Sequence, residues 1–163
     1  MPLARDLTAP GSLNRAIAIA VEAHAGAVDK AGAPYVLHPL RVMAAVAGEL
    51  AKTVAVLHDV VEDVPGWTFE RLQAEGFGPE VIEALRSVTK TESDHFEAED
   101  TEQTKLEKYT RFVRRAATHP VGRMVKLADI NDNLDITRFK QVSEADRLRM
   151  NRYLTARALL LSA

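Results

Sequence analysis

The chain has 163 residues, 47% of them hydrophobic and 27% charged, with a formal net charge of −2 and no cysteine. One domain of this length can bury about 68–70% of its unfolded surface. The near-zero charge excludes a global basic field for nucleic acid or an anionic membrane. The lack of cysteine excludes disulfides, thiolate ligands and a cysteine nucleophile.

The opening "MPLARDLTAPGSL" has no apolar stretch of signal-peptide length, and no 18-residue apolar run follows, so a soluble cytoplasmic domain is expected. Leu13, Ala16, Ile17, Ala20, Val21 and His24 then fall on one stripe, with Ser12 placed to cap a first helix. A second helix begins at His38-Pro39, since proline is tolerated in a first turn. The residue before proline is pushed away from the helical region, which holds His38 at a helix start. "TVAVLHDVVEDVP", Thr53 to Pro65, reads as a third helix. A short fourth starts at Thr68 and stops at Gly76, and "GPEVIEALRSVTK" makes the fifth. Residues 91–103 carry six acids and no Lys or Arg, the pattern of a long solvated loop. Leu106, Tyr109, Val113 and Ala116 mark a sixth helix, and Pro120 starts the next. Ser143 with Asp146 resembles a capping box for the last. No segment alternates with period two. The expectation is a single compact all-α bundle of about eight helices spanning residues 1–163.

Chemistry concentrates in that third helix. At about 100° per residue, His58, Asp59, Glu62 and Asp63 share an arc of roughly 140°. Asp59 and Asp63 are an uncompensated like-charge i,i+4 pair, so the arc is either a solvated face or the wall of a site holding a cation. "KLADINDN" adds Asp129 and Asn133 at i,i+4. His38, His58, Asp59 and Asp129 together would offer two nitrogens and two carboxylates. That set suits Mn²⁺, Fe²⁺, Co²⁺ or Zn²⁺ better than the all-oxygen shells of Ca²⁺ or Mg²⁺.

"AHAGAVDKAGAPYVLHPLRV" (residues 23–42), "LHDVVED" (57–63) and "VKLADINDN" (125–133) resemble the successive motifs of the HD-domain hydrolases of Rel/Spo type. The resemblance covers residues 23–137 and implies an all-α fold. It implies one metal ion, usually Mn²⁺, held by His38, His58, Asp59 and Asp129. Glu62 and Asp63 would be catalytic, and Asn133 would contact the nucleotide. Lys30 would bind phosphate, with Lys126 as a second candidate or else an ion-pair partner of Asp129. Arg15, Arg123 and Arg138 are weaker phosphate candidates that read better as plain surface residues. The implied activity is removal of the 3′-pyrophosphate from (p)ppGpp alarmones of the stringent response. The length resembles that of the small stand-alone members, metazoan and bacterial, without a synthetase domain.

The chain departs from the motif H-x-G-Q-x-R-K-x-G-E-P-Y by placing Ala27, Asp29 and Ala33 at the Gln, Arg and Glu positions, in the "DKAG" form of small bacterial members. Asp29 either accepts the N1 and N2 hydrogens of guanine or faces solvent. Ile136, where many members have Thr, leaves adenine alarmones open. Two rivals stand beside this reading: an HD phosphohydrolase of another nucleotide, including a 5′-nucleotidase, and a non-catalytic nucleotide sensor. A small purine nucleotide is the expected partner, with neither nucleic acid nor membrane.

Overall fold

The computed structural model describes residues 9–162; residues 1–8, read above for a leader, lie outside them. Among the described residues there are nine α-helices: α1 (Leu13–Ala23), α2 (Leu37–Ala44), α3 (Glu49–Leu57), α4 (Val60–Asp63), α5 (Phe69–Ala74), α6 (Pro79–Val88), α7 (Glu102–Ala117), α8 (Pro120–Asn133) and α9 (Glu144–Ser162). Two 3₁₀ turns, Glu92–Asp94 and Ile136–Arg138, complete them, and the pairing of Val28 with Pro34 is an isolated bridge rather than a strand. None of these helices is long and apolar enough to cross a membrane.

The expected caps are in place. Ser12 accepts from the Arg15 amide, Thr68 from the Arg71 amide, and Ser143 and Asp146 exchange the two bonds of a capping box. Gly76, at φ 93°, ends α5: its amide reaches Gln73 O at 2.9 Å and the Phe77 amide reaches Leu72 O at 3.2 Å. This is the pair of bonds that a left-handed residue after a helix makes possible.

Helix α3 is the centre. Ala51 and every residue from Thr53 to Leu57 are buried, as a helix without a polar face must be. It packs against α1, α2, α6 and α8. A second apolar cluster joins Tyr109, Phe112 and Val113 of α7 to Ala156 and Leu160 of α9 through Ile130 of α8. Helix α8 also gives Val125 and Ala128 to the main core, so it ties the two clusters together.

Two expectations need correction, and a third needs an addition. Thr53 to Pro65 is not one helix, because α3 stops at Leu57 and α4 begins at Val60. The His58 ring Nδ1 lies 2.7 Å from the Ala55 carbonyl, the acceptor that a continuing helix would give to the Asp59 amide. His38 does not stand before a helix; it lies inside the first turn of α2, with its amide bonded to Tyr35 O at 2.9 Å.

The acidic segment 91–103 is exposed along most of its length, as expected, but it is anchored at Asp94 and Asp100. Asp94 is buried and accepts from Arg115 at 2.7 Å and from the amide and hydroxyl of Thr91. Lys108 holds Asp100 at 2.7 Å, and Arg111 donates to the Ser93 carbonyl. The missing cations come from α7, which straps the segment down.

Burial alone would raise the Asp94 carboxyl; the bonds from Arg115 and Thr91 outweigh it and hold it at about 2. A folded value below the unfolded one gives stability that is complete above the unfolded pKa of about 3.9 and is lost as pH falls toward 2. Asp94→Asn should therefore cost about 1–3 kcal/mol at neutral pH. The gap between the two melting temperatures should close between pH 4 and pH 2; a gap that stays constant over that range contradicts this account.

Candidate metal centre

The bend between α3 and α4 turns His58 and Asp59 toward the N-terminal turn of α2 and the middle of α8. His38 Nε2 lies 3.2 Å from Asp129 Oδ1 and 3.5 Å from Asp59 Oδ2. His58 Nε2 lies 3.1 Å from Asp59 Oδ2 and 3.7 Å from Asp129 Oδ1. Ligand atoms about 2.1 Å from one cation stand about 3.0 Å apart in octahedral and about 3.4 Å apart in tetrahedral geometry. The observed separations, from 3.1 to 3.7 Å, lie on both sides of the tetrahedral value and above the octahedral one. His58 Nε2 is buried with no hydrogen-bond partner, and a buried polar atom left in that state needs an explanation. His38, His58 and Asp129 also form a buried group able to hold an ion. The donor set therefore fits a divalent cation.

Each donor is oriented from behind. His58 Nδ1 faces the Ala55 carbonyl, and His38 Nδ1 lies 2.7 Å from Asp132 Oδ2. With Nδ1 so occupied, Nε2 is left to face the centre. Asp129 Oδ2 accepts from Lys126 Nζ at 2.8 Å, while Asn133 Nδ2 donates to Asp129 Oδ1 at 2.6 Å. Tyr35 donates to Asp59 Oδ2 at 2.6 Å. Burial opposes charge on His38, yet the bonds to Asp129 and Asp132 push it up to about 9; Asp59 and Asp129 likewise raise His58 against its burial. The negative charge gathered here draws protons onto both rings, and a bound cation would take their place.

The centre opens into a cavity of about 330 Å³, within the size range of small-molecule sites. Glu62 and Asp63 line it beside Asp59 and are not equivalent. Both oxygens of Glu62 are taken by Lys90, through Nζ at 2.5 Å and the backbone amide at 3.0 Å. Asp63 has only a 3.4 Å contact from the Tyr35 hydroxyl, and burial, then the charges of Asp59 and Glu62, push it up to about 6.

Of the residues expected to bind substrate, Lys30, Asp29, Lys126 and Asn133 all line the cavity. Burial, then Arg149, lowers the Lys30 ammonium, so an incoming anion would find it poorly compensated. Lys126 is buried in its pair with Asp129, raised by Asp129 and Tyr109 although burial opposes it, and stands over the Phe112 ring at 4.6 Å. The ion-pair alternative is the one the geometry supports. Asn133 points its amide hydrogens at Asp129, so it holds that carboxylate in place.

Asp29 neither faces solvent nor offers a free carboxylate to a base. Its Oδ1 accepts the Ala31 and Ala33 amides, both at 2.9 Å, and its Oδ2 meets Arg138 at 3.0 Å. Arg138 is thus a cavity residue, not a surface one, and it cancels the charge reversal at Asp29. Arg15 and Arg123 are structural, bound to Glu75 and to the Leu160 carbonyl. His24 is buried with its ring centroid 4.9 Å from that of Tyr35. Tyr35 and Asp132 were not singled out by motif reasoning. Their signal was register, since Tyr35 precedes His38 by three residues and Asp132 follows Asp129 by three, one helical turn in each case.

The family pattern described as "HD domain" matches residues 16–157. The chain belongs to that HD-domain family. It is 32% identical over 120 residues, 71% of its length, to a guanosine-3′,5′-bis(diphosphate) 3′-pyrophosphohydrolase of Haemophilus influenzae, and covers 17% of that protein. It is 36% identical over 126 residues to the enzyme of the same name from Spiroplasma citri, 75% of this HD-domain chain and 16% of the relative. The chain thus spans about a sixth of the length of the curated relatives it matches. A solved structure titled "A metazoan ortholog of SpoT hydrolyzes ppGpp and plays a role in starvation responses" aligns with a TM-score of 0.71 at 25% identity. The alignment covers 91% of this HD-domain chain and 84% of that one. Family membership implies a divalent metal, and the cluster of His38, His58 and Asp129 fits it.

The wild-type protein is expected to bind one divalent ion per chain, with a melting temperature that rises as Mn²⁺ is added. Asp129→Ala should bind none and lose that response. It also strands Lys126, at a cost of about 3–5 kcal/mol. Metal analysis with thermal melts checks this, and a variant retaining one ion at wild-type affinity contradicts it.

Proposed function

We propose that the chain is a metal-dependent phosphohydrolase, acting as one HD-type unit, that removes the 3′-pyrophosphate of guanosine 3′,5′-bis(diphosphate)-like nucleotides. The observation that carries this reading is that Asp63 lines one cavity together with His38, Asp59 and Asp129 and with Lys30, Arg138 and Arg149. A bound divalent ion, with Mn²⁺ the proposed metal, would activate water and polarise a phosphoryl oxygen. His38, His58, Asp59 and Asp129 would hold it.

The chain's own groups supply the rest. Asp63 is the carboxylate without a fixed cationic partner, so it accepts the proton of the attacking water. Glu62, locked by Lys90, fixes the wall against which that water is placed. Attack at phosphorus breaks its bond to the ribose 3′ oxygen, which leaves with a proton taken from solvent, giving the nucleoside 5′-diphosphate and pyrophosphate. Lys30, Arg138 and Arg149 face the substrate's anionic groups. Asp29, already bonded, shapes the loop instead of reading the base. A purely sensory role would need the pocket but not Asp63.

Incubation with Mn²⁺ and ppGpp, with products identified by mass, should yield GDP and pyrophosphate. Asp63→Asn should lower turnover by about 10²–10⁴-fold with the metal retained. Glu62→Gln should lower it less, and Lys90→Met should match Glu62→Gln. Absence of turnover, or phosphate release from the 5′ end, contradicts the reading. Loss of metal in Asp63→Asn would make Asp63 a ligand.

A further inference from the structure

Asp132 takes no part in the ligand set, yet its carboxylate is held by His38, Arg41 and Arg138. Its Oδ2 lies 2.7 Å from His38 Nδ1 and accepts from Arg41 at 3.0 Å; its Oδ1 accepts from Arg41 Nε at 2.6 Å. Arg138 stands 3.6 Å from Oδ2 and donates to the Asp132 backbone carbonyl at 2.9 Å. The Asp132 side chain is largely buried, at 11% exposure. A carboxylate gripped by a two-pronged guanidinium is ionised, and an ionised carboxylate can only accept. Nδ1 of the His38 ring therefore carries a hydrogen, whatever Nε2 faces.

The two metal-facing histidines are fixed by different devices. His58 gives its Nδ1 hydrogen to the Ala55 backbone carbonyl, which no side-chain substitution can remove. His38 gives its own to a side chain. Asp132 lies one turn after Asp129 on α8, so the same helix supplies a ligand and the holder of another ligand from α2. Arg138 extends the arrangement to Asp29 at 3.0 Å, in the loop that lines the cavity.

We infer that Asp132, clamped by Arg41 and Arg138, is the positioning residue that orients the His38 ring and so presets Nε2 for the metal. The inference rests on the proposed metal site, and its loss can be told apart from the loss of that site. Removing such a partner costs about 10–100-fold in metal affinity. The ring state should change at His38 and not at His58.

The test uses full-length protein with ¹⁵N-labelled histidines, loaded with diamagnetic Zn²⁺, with affinity measured against a chelating dye. In the wild type both rings should show a single state with the hydrogen on Nδ1. Asp132→Ala should bind Zn²⁺ about 10–100-fold more weakly and lose the single state at His38 alone. Asp132→Asn, which keeps an acceptor for that hydrogen, should recover the His38 signal with an intermediate affinity. The inference is overturned if both variants keep wild-type affinity and an unchanged His38 signal. It is also overturned if the His58 signal is lost along with that of His38, which marks a general structural role. A wild type that fails to bind Zn²⁺ overturns the metal site itself.

Discussion

The charge of Asp129, buried where α2, α8 and the bend after α3 meet, has to be matched for the centre of this protein to exist. Lys126 matches one oxygen from the same helix. The other oxygen is shared between Asn133 and the space in front of His38 and His58. Burying a carboxylate without such partners costs several kcal/mol, and a half-satisfied network is worse than an apolar core. The packing of three helices and the assembly of the metal donors are therefore one event. Because α8 also joins the two apolar clusters, the centre sits where the fold is most constrained, which is where precise ligand placement is easiest to hold.

The second feature is the inequality of the two acidic residues after the bend. Adjacent carboxylates on a short helix invite a joint role. Their surroundings divide them: Lys90, just past the end of α6, fastens both oxygens of Glu62, while Asp63 meets only the Tyr35 hydroxyl. Tyr35 also donates to Asp59, one of the proposed ligands. One phenol thus connects a metal donor to the carboxylate proposed to take the water's proton.

Much of this was legible in the sequence, and the failures have a common physical cause. Apart from the run Thr53 to Pro65, the helices, the caps at Ser12, Thr68 and Ser143 and the stop at Gly76 follow from local signals and appear where those signals put them. The gathering of His38, His58 and Asp129 was expected from motif resemblance and is what the fold brings together. What the sequence concealed depends on partners distant along the chain. The bend at His58 arises from a ring competing for a backbone carbonyl inside a valine-rich run that reads as continuous helix. The anchoring of the exposed segment 91–103 was hidden because its cations, Lys108, Arg111 and Arg115, lie beyond its end. Asp29 looks like a reversed charge because its partner Arg138 is 109 residues away. Asp132 was hidden in plain register, and only the position of His38 on another helix gives it a purpose.

The central claim is that four side chains from α2, α8 and the bend after α3 form one divalent-metal site. Anomalous diffraction from crystals grown with Mn²⁺ tests it most directly. The account predicts one strong peak per chain, bounded by His38 Nε2, His58 Nε2 and the carboxylates of Asp59 and Asp129. A map with no peak there, or with its principal peak between Glu62 and Asp63, would contradict it.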